Sequence, residues 1–258
     1  MKEKLTGAAI MECLNTTIVG RKIIYQSEMP STMDTARKEV LGGTLEGTVI
    51  ITDEQTAGKG RIGRPWLSPK GCVALSVILC PEVSLLSSII MVASLAVLYA
   101  IRDITGLNPM IKWPNDIMIN DKKVCGILIE SGVKEGGKDH TIIGIGINVN
   151  LDAVYLGKVS VPATSILNEL GREVSRLKLI RNLLIEIDKL YLCVRNEGSL
   201  YEEWRQYLDT LGRQVYVKMG EEIFEGVAES VTRDGNLMLR TREGNLKRII
   251  AGDVTIRY

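Results

Sequence analysis

KWPNDIMINDKKVCGILIE, residues 112–130, is the stretch whose reading decides the fold. Asn120-Asp121 is a turn pair set between two apolar runs. The segment therefore reads as two short strands, Asp116–Ile119 and Val124–Glu130, joined by a tight turn. Side chains alternate along a strand, so only one of Lys122 and Lys123 can face a ligand. Lys123 enters a run that becomes apolar at once, which sets a partly desolvated ammonium beside whatever binds there. At the head of the stretch a cation, an amide and a carboxylate (Lys112, Asn115 and Asp116) crowd against Trp113 and a rigid Pro114. Asn115 can bond a ribose or a phosphate, and Asp116 can orient a metal-bound water or a catalytic partner. The bland alternative for the lysine pair is an exposed hairpin turn.

Upstream, Ser87–Thr105 is apolar on nearly every side, hence a buried helix, closed by Gly106. Its most apolar part, Ile89–Ile101, is broken by Ser94 and falls short of the ~20 residues that span a bilayer. Before it come two β-branched runs, Thr48–Thr52 and Cys72–Leu79, and a helix from Ser31 to Val40 that Ser31, Thr32 or Asp34 can cap and Gly42-Gly43 ends. The two runs flank a loop, 55–71, holding GKGRIGRPWLSPKG (58–71). Gly58, Gly60 and Gly63 spell the dinucleotide fingerprint, but prolines follow where that fingerprint needs a helix. Lys59, Arg61 and Arg64 among glycines, with Trp66 to cover an apolar face, suit a loop that closes on a phosphate-bearing ligand; the alternative is a solvated basic loop.

Downstream, IIGIGINVN (142–150) is a strand whose Gly144 and Gly146 allow close approach beside Asn148. Arg176–Arg195 has apolar residues three and four apart, an amphipathic helix. A shorter helix starts from Ser199, with Glu202 placed for a capping box. From Arg213 the pattern changes to short strands with turns at Gly220, Asp234-Gly235 and Glu243-Gly244, the size of an SH3-like barrel. The expected organisation is a domain over 1–211, in which 1–25 form a short N-terminal extension, and a C-terminal domain over 212–258.

Lys+Arg of 32 against Asp+Glu of 31 argues against bulk affinity for nucleic acid or an anionic membrane. A single histidine, His140, in a polar stretch read as a solvated turn, argues against a histidine metal site and a Ser-His-Asp hydrolase. The five cysteines form no CxxC pair, so a reducing, cytoplasmic setting is expected, with Cys72, Cys80 and Cys125 as core thiols. The N-terminal stretch lacks the long apolar core of a signal peptide.

In this order and spacing, the 58–71 loop, KWPND with KKVCGIL, GIGIN and the C-terminal LGRQVYV…AGDV together resemble the biotin–protein ligase family, in a short form without an N-terminal DNA-binding domain. The match runs from about Ser31 onward. The resemblance implies an α+β fold: a mixed sheet with flanking helices, related to class II aminoacyl-tRNA synthetases, followed by an SH3-like barrel. It implies that ATP and biotin form biotinyl-5′-AMP and that a lysine of a biotin carboxyl carrier protein takes the biotinyl group. By carry-over, Ser31, Thr32, Met33, Gln55, Lys59, Gly60, Arg61, Lys123 and Gly126 contact biotin. Arg61, Arg64, Trp66, Lys112, Asn115 and Asn148 surround ATP. Lys123, Arg61 and Asp116 are the catalytic set, and Mg²⁺ shields the departing pyrophosphate with no direct protein ligand expected. Met33 stands where the family carries asparagine, and Lys59 where it carries arginine. No DNA or membrane partner is expected, and a homodimer is possible. The alternatives are a lipoate or octanoate ligase-type transferase of the same fold, a biotin-responsive DNA-binding regulator, and a non-catalytic biotin-binding protein.

Overall fold

The structure, a computed structural model, describes residues 5–132, 139–152, 156 and 162–256. In chain order the elements are α1 (Gly7–Met11), β1 (Lys22–Met29), α2 (Thr32–Leu41), β2 (Thr48–Gln55), β3 (Val73–Leu79), α3 (Ile89–Thr105), β4 (Met110–Lys112), β5 (Asp116–Ile119), β6 (Lys122–Gly132) and β7 (His140–Ile147). They continue with α4 (Ile166–Leu170), α5 (Arg176–Arg195), α6 (Tyr201–Gln206), β8 (Gln214–Met219), β9 (Glu222–Val231), β10 (Leu237–Thr241), β11 (Leu246–Ile249) and β12 (Asp253–Ile256).

Seven strands form one sheet in the order β1-β2-β3-β7-β6-β5-β4. Only β1 and β2 run parallel; the other pairs are antiparallel. The two faces differ in chemistry. Leu75, Val77, Ile127, Ile143, Ile145 and Ile147 belong to a continuous core with α3 and α5. The opposite face carries Ala74, Ser76, Gly126, Gly144 and Gly146, and α2 covers one end of it with a smaller cluster of Met29, Met33, Ala36, Ile50, Ile78 and Ile142. The middle strands β3 and β7 thus put only glycine, alanine and serine on the central part of that second face.

The helical stretch Val83–Thr105, of which α3 is the larger part, is long and apolar enough by length and composition to cross a membrane, yet α3 is a core element here. Its polar interruption, Ser94, is fully buried, donates to the Ile90 carbonyl at 2.6 Å and accepts the Trp204 indole N–H at 3.0 Å. A hydroxyl inside an apolar helix is tolerated because both its roles are filled.

Five antiparallel strands form the C-terminal sheet in the order β11-β10-β9-β8-β12, with positive φ at the turn glycines Gly220, Gly235 and Gly244. It is seated on the strand that leads into KWPND. Ile111 donates its N–H to the Tyr207 carbonyl (2.8 Å) and accepts from Asp209 (2.9 Å). The Trp113 backbone N–H donates to Thr210 Oγ1 at 2.9 Å, and its indole N–H to the Gly235 carbonyl at 2.8 Å.

Several expectations need correction. Strand β1 starts at Lys22, inside the 1–25 segment read as an extension, as an edge strand with few buried positions, and β4, of three residues, was not anticipated. The Ser199–Glu202 capping box does not form, because α6 begins at Tyr201 with no side-chain cap; Ser199 Oγ accepts the Tyr201 N–H at 3.4 Å in a local turn instead. His140 is not in a solvated turn; it opens β7, pairs with Gly132 and is half-buried, while 134–138 of its polar stretch lie outside the described residues. Cys80 is only half-buried, whereas Cys72 and Cys125 are core thiols.

The N-terminal segment is clipped to the body by one carboxylate. Asp188 on α5 accepts the backbone N–H groups of Thr17 (2.7 Å), Ile18 (2.7 Å) and Val19 (2.8 Å). Asp188→Ala would strand three donors and should cost about 3 kcal/mol in urea unfolding; Asp188→Asn, which keeps one acceptor, should cost less. A loss below about 0.5 kcal/mol for the alanine variant would mean that the apolar contacts of Leu5, Ile10 and Val19 alone hold this segment.

Candidate active site

Residues directly opposite one another on paired strands share a face, so the register can be read as a line across the sheet. One such line is Lys112, Asp116, Gly126, Gly146, Ala74 and Thr52. It runs from a cation and a carboxylate at one end over bare backbone to a hydroxyl. The next line is Leu128, Gly144, Ser76 and Ile50. Together they make a shallow trough with a charged end and a polar end.

Lys123 reaches the trough because β6 is bulged. Ile117 pairs with Cys125 and Met118 with Lys123, leaving Val124 as the extra residue. Strict alternation counted back from Gly126 would send Val124 and Lys122 to the trough. The bulge instead buries Val124 in the core, leaves Lys122 exposed, and sets the Lys123 ammonium above Gly126, where an added Cβ would lie 3.2 Å from Nζ. That ammonium sits 2.6 Å from Asp116 Oδ1, an ion pair not aligned as a hydrogen bond. Burial pushes the neighbouring Lys112 ammonium below the ordinary lysine range, opposed by Asp116, reinforced by the Lys123 charge and opposed again by Asp253.

The 55–71 loop arches over this floor. Its turns are held by Gln55 N–H to the Ser68 carbonyl (2.9 Å), Trp66 N–H to Gly58 (2.9 Å) and Gly60 N–H to Arg64 (2.8 Å). Arg61 Nη1 donates to Asn115 Oδ1 at 2.8 Å, and Nη2 to the Gly252 carbonyl at 3.2 Å. Asn115 in turn donates to the Ile127 carbonyl at 2.7 Å, which fixes its amide. Arg64 pairs with Asp253. The loop's two guanidinium groups thus meet KWPND on one side and the start of β12 on the other.

Trp66 lies on the glycines. A Cβ at Gly126 would come 3.1 Å from its ring, one at Gly146 would collide with the indole, and the Lys123 Nζ stands 5.4 Å from the ring centroid. Its indole N–H is buried without an acceptor among the described residues. Trp66 therefore fills the floor of the trough.

At the polar end, Ser31 caps α2, accepting the Asp34 N–H at 3.4 Å. Thr32 donates its backbone N–H to Gln55 Oε1 at 2.9 Å, and its hydroxyl lies 3.2 Å from the same oxygen. Met33 turns to the sheet: a Cβ at Gly144 would fall 2.6 Å from its sulfur. Lys59 reaches out of the trough to Asp34 at 2.8 Å. Asn148 is buried at the end of β7, its amide given to the Thr164 carbonyl at 3.0 Å.

Lys112, Asn115, Asp116, Lys123, Gly126, Arg61, Arg64 and Trp66 are brought together at the charged end, and Thr32 and Gln55 at the other. Lys59, Met33 and Asn148 are committed to protein partners around them. Two participants carried weak signals in the sequence. Asp253 stands in AGDV, far along the chain, and Ser76 is a lone hydroxyl within VALSVIL. Among the described residues no three His, Cys, Asp or Glu side chains gather as a metal site.

The family model described as Biotin/lipoate A/B protein ligase family matches residues 25–148, and that of the Biotin protein ligase C terminal domain matches 210–257. The bifunctional ligase/repressor BirA of Bacillus subtilis is 34% identical over 259 residues, covering 98% of this chain and 79% of that protein. The biotin--[acetyl-CoA-carboxylase] ligase of Paracoccus denitrificans is 30% identical over 203 residues, 76% of this chain and 85% of the relative. Among solved structures, the biotin protein ligase from Aquifex aeolicus in complex with biotin and ATP superposes with a TM-score of 0.78 at 28% identity, over 92% of this chain and 99% of that one.

Proposed function

The chain belongs to the biotin protein ligase family, and from that premise we propose how its own residues divide the work. The protein is an ATP-dependent, AMP-forming ligase: it joins the carboxylate of biotin to AMP with loss of pyrophosphate, and passes the biotinyl group to a lysine of a biotin carboxyl carrier protein. The observation that carries the assignment of roles is the trough, with cations at one end, glycines in the middle and hydrogen-bonding groups at the other. A ligand with a polar bicyclic head and an acidic tail fits it in one direction.

In this reading the polar end, Ser31, Thr32 and Gln55, takes the ureido ring. The apolar body lies over Gly126 and Gly146 once the Trp66 indole has moved to cover it or the adenine. The carboxylate then reaches Lys123, where the α-phosphate must also arrive. Two anions repel as they approach; Lys123, Arg61 and Arg64 are fixed cations that offset that repulsion without reorganising. Asn115, held by Arg61 and Ile127, is a rigid partner for ribose or phosphate. Asp116 keeps the Lys123 ammonium over the reacting end, and lies where it can accept a proton from the incoming carrier lysine. The side chains that line this end are mostly cationic, so Mg²⁺ would be held chiefly by the ATP phosphates, where it would shield the charge of the departing pyrophosphate.

Carriers and assembly follow the same reading: the acceptor is a protein domain bearing an exposed lysine. Ahead of β1 the described residues form one helix of 5 residues, too short to serve as a recognition helix. ATP–pyrophosphate exchange tests the substrate. Exchange is expected with biotin and not with lipoate or octanoate, and the reverse order would assign the chain to the lipoate side of its family. Sedimentation with and without ligand reports whether a dimer forms.

A further inference from the structure

We propose that Lys59 is a positioning residue and not a contact of biotin: paired with Asp34 on α2, it clamps the root of the hairpin 58–66, and the clamp keeps the reaction intermediate in the trough. The inference rests on the biotin reading above, in which that intermediate is biotinyl-AMP.

Residues 58–66 form a small hairpin. Trp66 donates its N–H to the Gly58 carbonyl (2.9 Å), Lys59 stands opposite Pro65, and Gly60 donates its N–H to the Arg64 carbonyl (2.8 Å). Ile62 and Gly63 turn the tip with positive φ. Two strands this short hold no fixed shape alone in water, so the hairpin depends on its anchors. The tip is anchored through Arg61, to Asn115 and Gly252, and through Arg64, to Asp253. The root is anchored through Lys59, whose ammonium donates to Asp34 Oδ1 at 2.8 Å.

A ligand treats the two anchors differently. Arg61 and Arg64 are the cations assigned to the phosphate, so an adenylate competes with Asn115 and Asp253 for them. Lys59 reaches out of the trough, to a partner that is set before any ligand arrives. Asp34 lies in the first turn of α2, where the helix dipole favours a carboxylate. It also pairs with Arg37, whose guanidinium forks onto Glu130 of β6 with two bonds of 2.8 Å. The hydrogen bond from Lys59 outweighs the desolvation of the Asp34 carboxyl and, with the Lys59 and Arg37 charges, holds it below the ordinary carboxylate range. The contact that survives when the tip changes partners is therefore the one at the root. Lys59 is half-exposed, and an exposed ion pair is worth little by itself, so the clamp acts at the scale of a few fold.

The rate at which preformed biotinyl-AMP leaves the protein reads the clamp. Lys59→Met and Asp34→Asn should each release it about three- to fivefold faster, the change that one exposed pair supplies. Combined, they should release it no faster than either alone, because both remove the same contact. Asp34→Glu, which keeps the charge, should stay within about twofold of the wild type. If Lys59 meets the biotin carboxylate instead, Lys59→Met raises KM for biotin in pyrophosphate exchange, Asp34→Asn does not, and their effects on release add. That result would overturn the assignment while leaving the biotin reading in place, and so would release at the wild-type rate from both single variants. Wild-type protein that forms no biotinyl-AMP would overturn both.

Discussion

Lys123→Gln should slow formation of biotinyl-AMP by on the order of 10² to 10³, or about 3–4 kcal/mol, the loss typical of one preorganised group at a developing charge. The glutamine keeps length and some hydrogen bonding but removes the ammonium that the bulge in β6 aims over Gly126. It also leaves the Asp116 carboxylate without the cation 2.6 Å away, so the reacting end becomes net more negative at the moment two anions must meet. Lys122→Gln is the matched control: Lys122 is exposed, and its loss should cost under about 0.5 kcal/mol. Single-turnover measurement of the adenylate on both variants reads the difference. Equal and small effects would move the catalytic cation elsewhere, with Lys112 the next to test.

The second large effect is expected at Trp113, and it is one of stability before chemistry. Trp113 is 2% exposed, its indole bonds the Gly235 carbonyl in the turn between β9 and β10, and it stands between Lys112 and Asn115 in the chain. Trp113→Ala should cost about 3–5 kcal/mol in urea unfolding, as for other large aromatic truncations in a core. Trp113→Phe, which fills most of the space but cannot make the bond, should cost about 1–3 kcal/mol, chiefly through the unpaired Gly235 oxygen. Because Asn115 also anchors Arg61, both variants should raise KM for ATP even at temperatures where they remain folded. A stable alanine variant with ordinary ATP dependence would show that the C-terminal sheet is seated by its other contacts alone.

How far the sequence carried the reading depended on whether local pattern or long-range contact decided each feature. Arg176–Arg195 was legible to the residue, because an amphipathic period with Ser175 before it needs nothing from the rest of the chain. The turn at Asn120-Asp121 was legible for the same reason; both residues have positive φ, which their short polar side chains tolerate. Edge strand β1 was not, since most of its positions are at least half-exposed and show little apolar period. At the site, alternation predicted that one lysine of the pair would face the ligand but could not choose between them. Counting back from Gly126 without the bulge points to Lys122, which the bulge leaves exposed, whereas the family resemblance pointed to Lys123. Trp113 was read as part of a reactive motif, yet its work is to join two sheets. Asp253 and Ser76 meet partners far away in sequence, Arg64 and Thr32, and no local pattern announces such contacts.

Trp66, resting on Gly126 and Gly146, also gives the protein an optical handle. The chain holds 3 tryptophans, and the other two, Trp113 and Trp204, are locked in the core. A ligand that takes the glycine floor must lift the one indole whose N–H lacks an acceptor and give it new surroundings, while the other two emitters stay as they are. Occupancy of the trough is thereby written into the intrinsic fluorescence of a single side chain, and the rate at which that signal changes is the rate at which the floor is vacated.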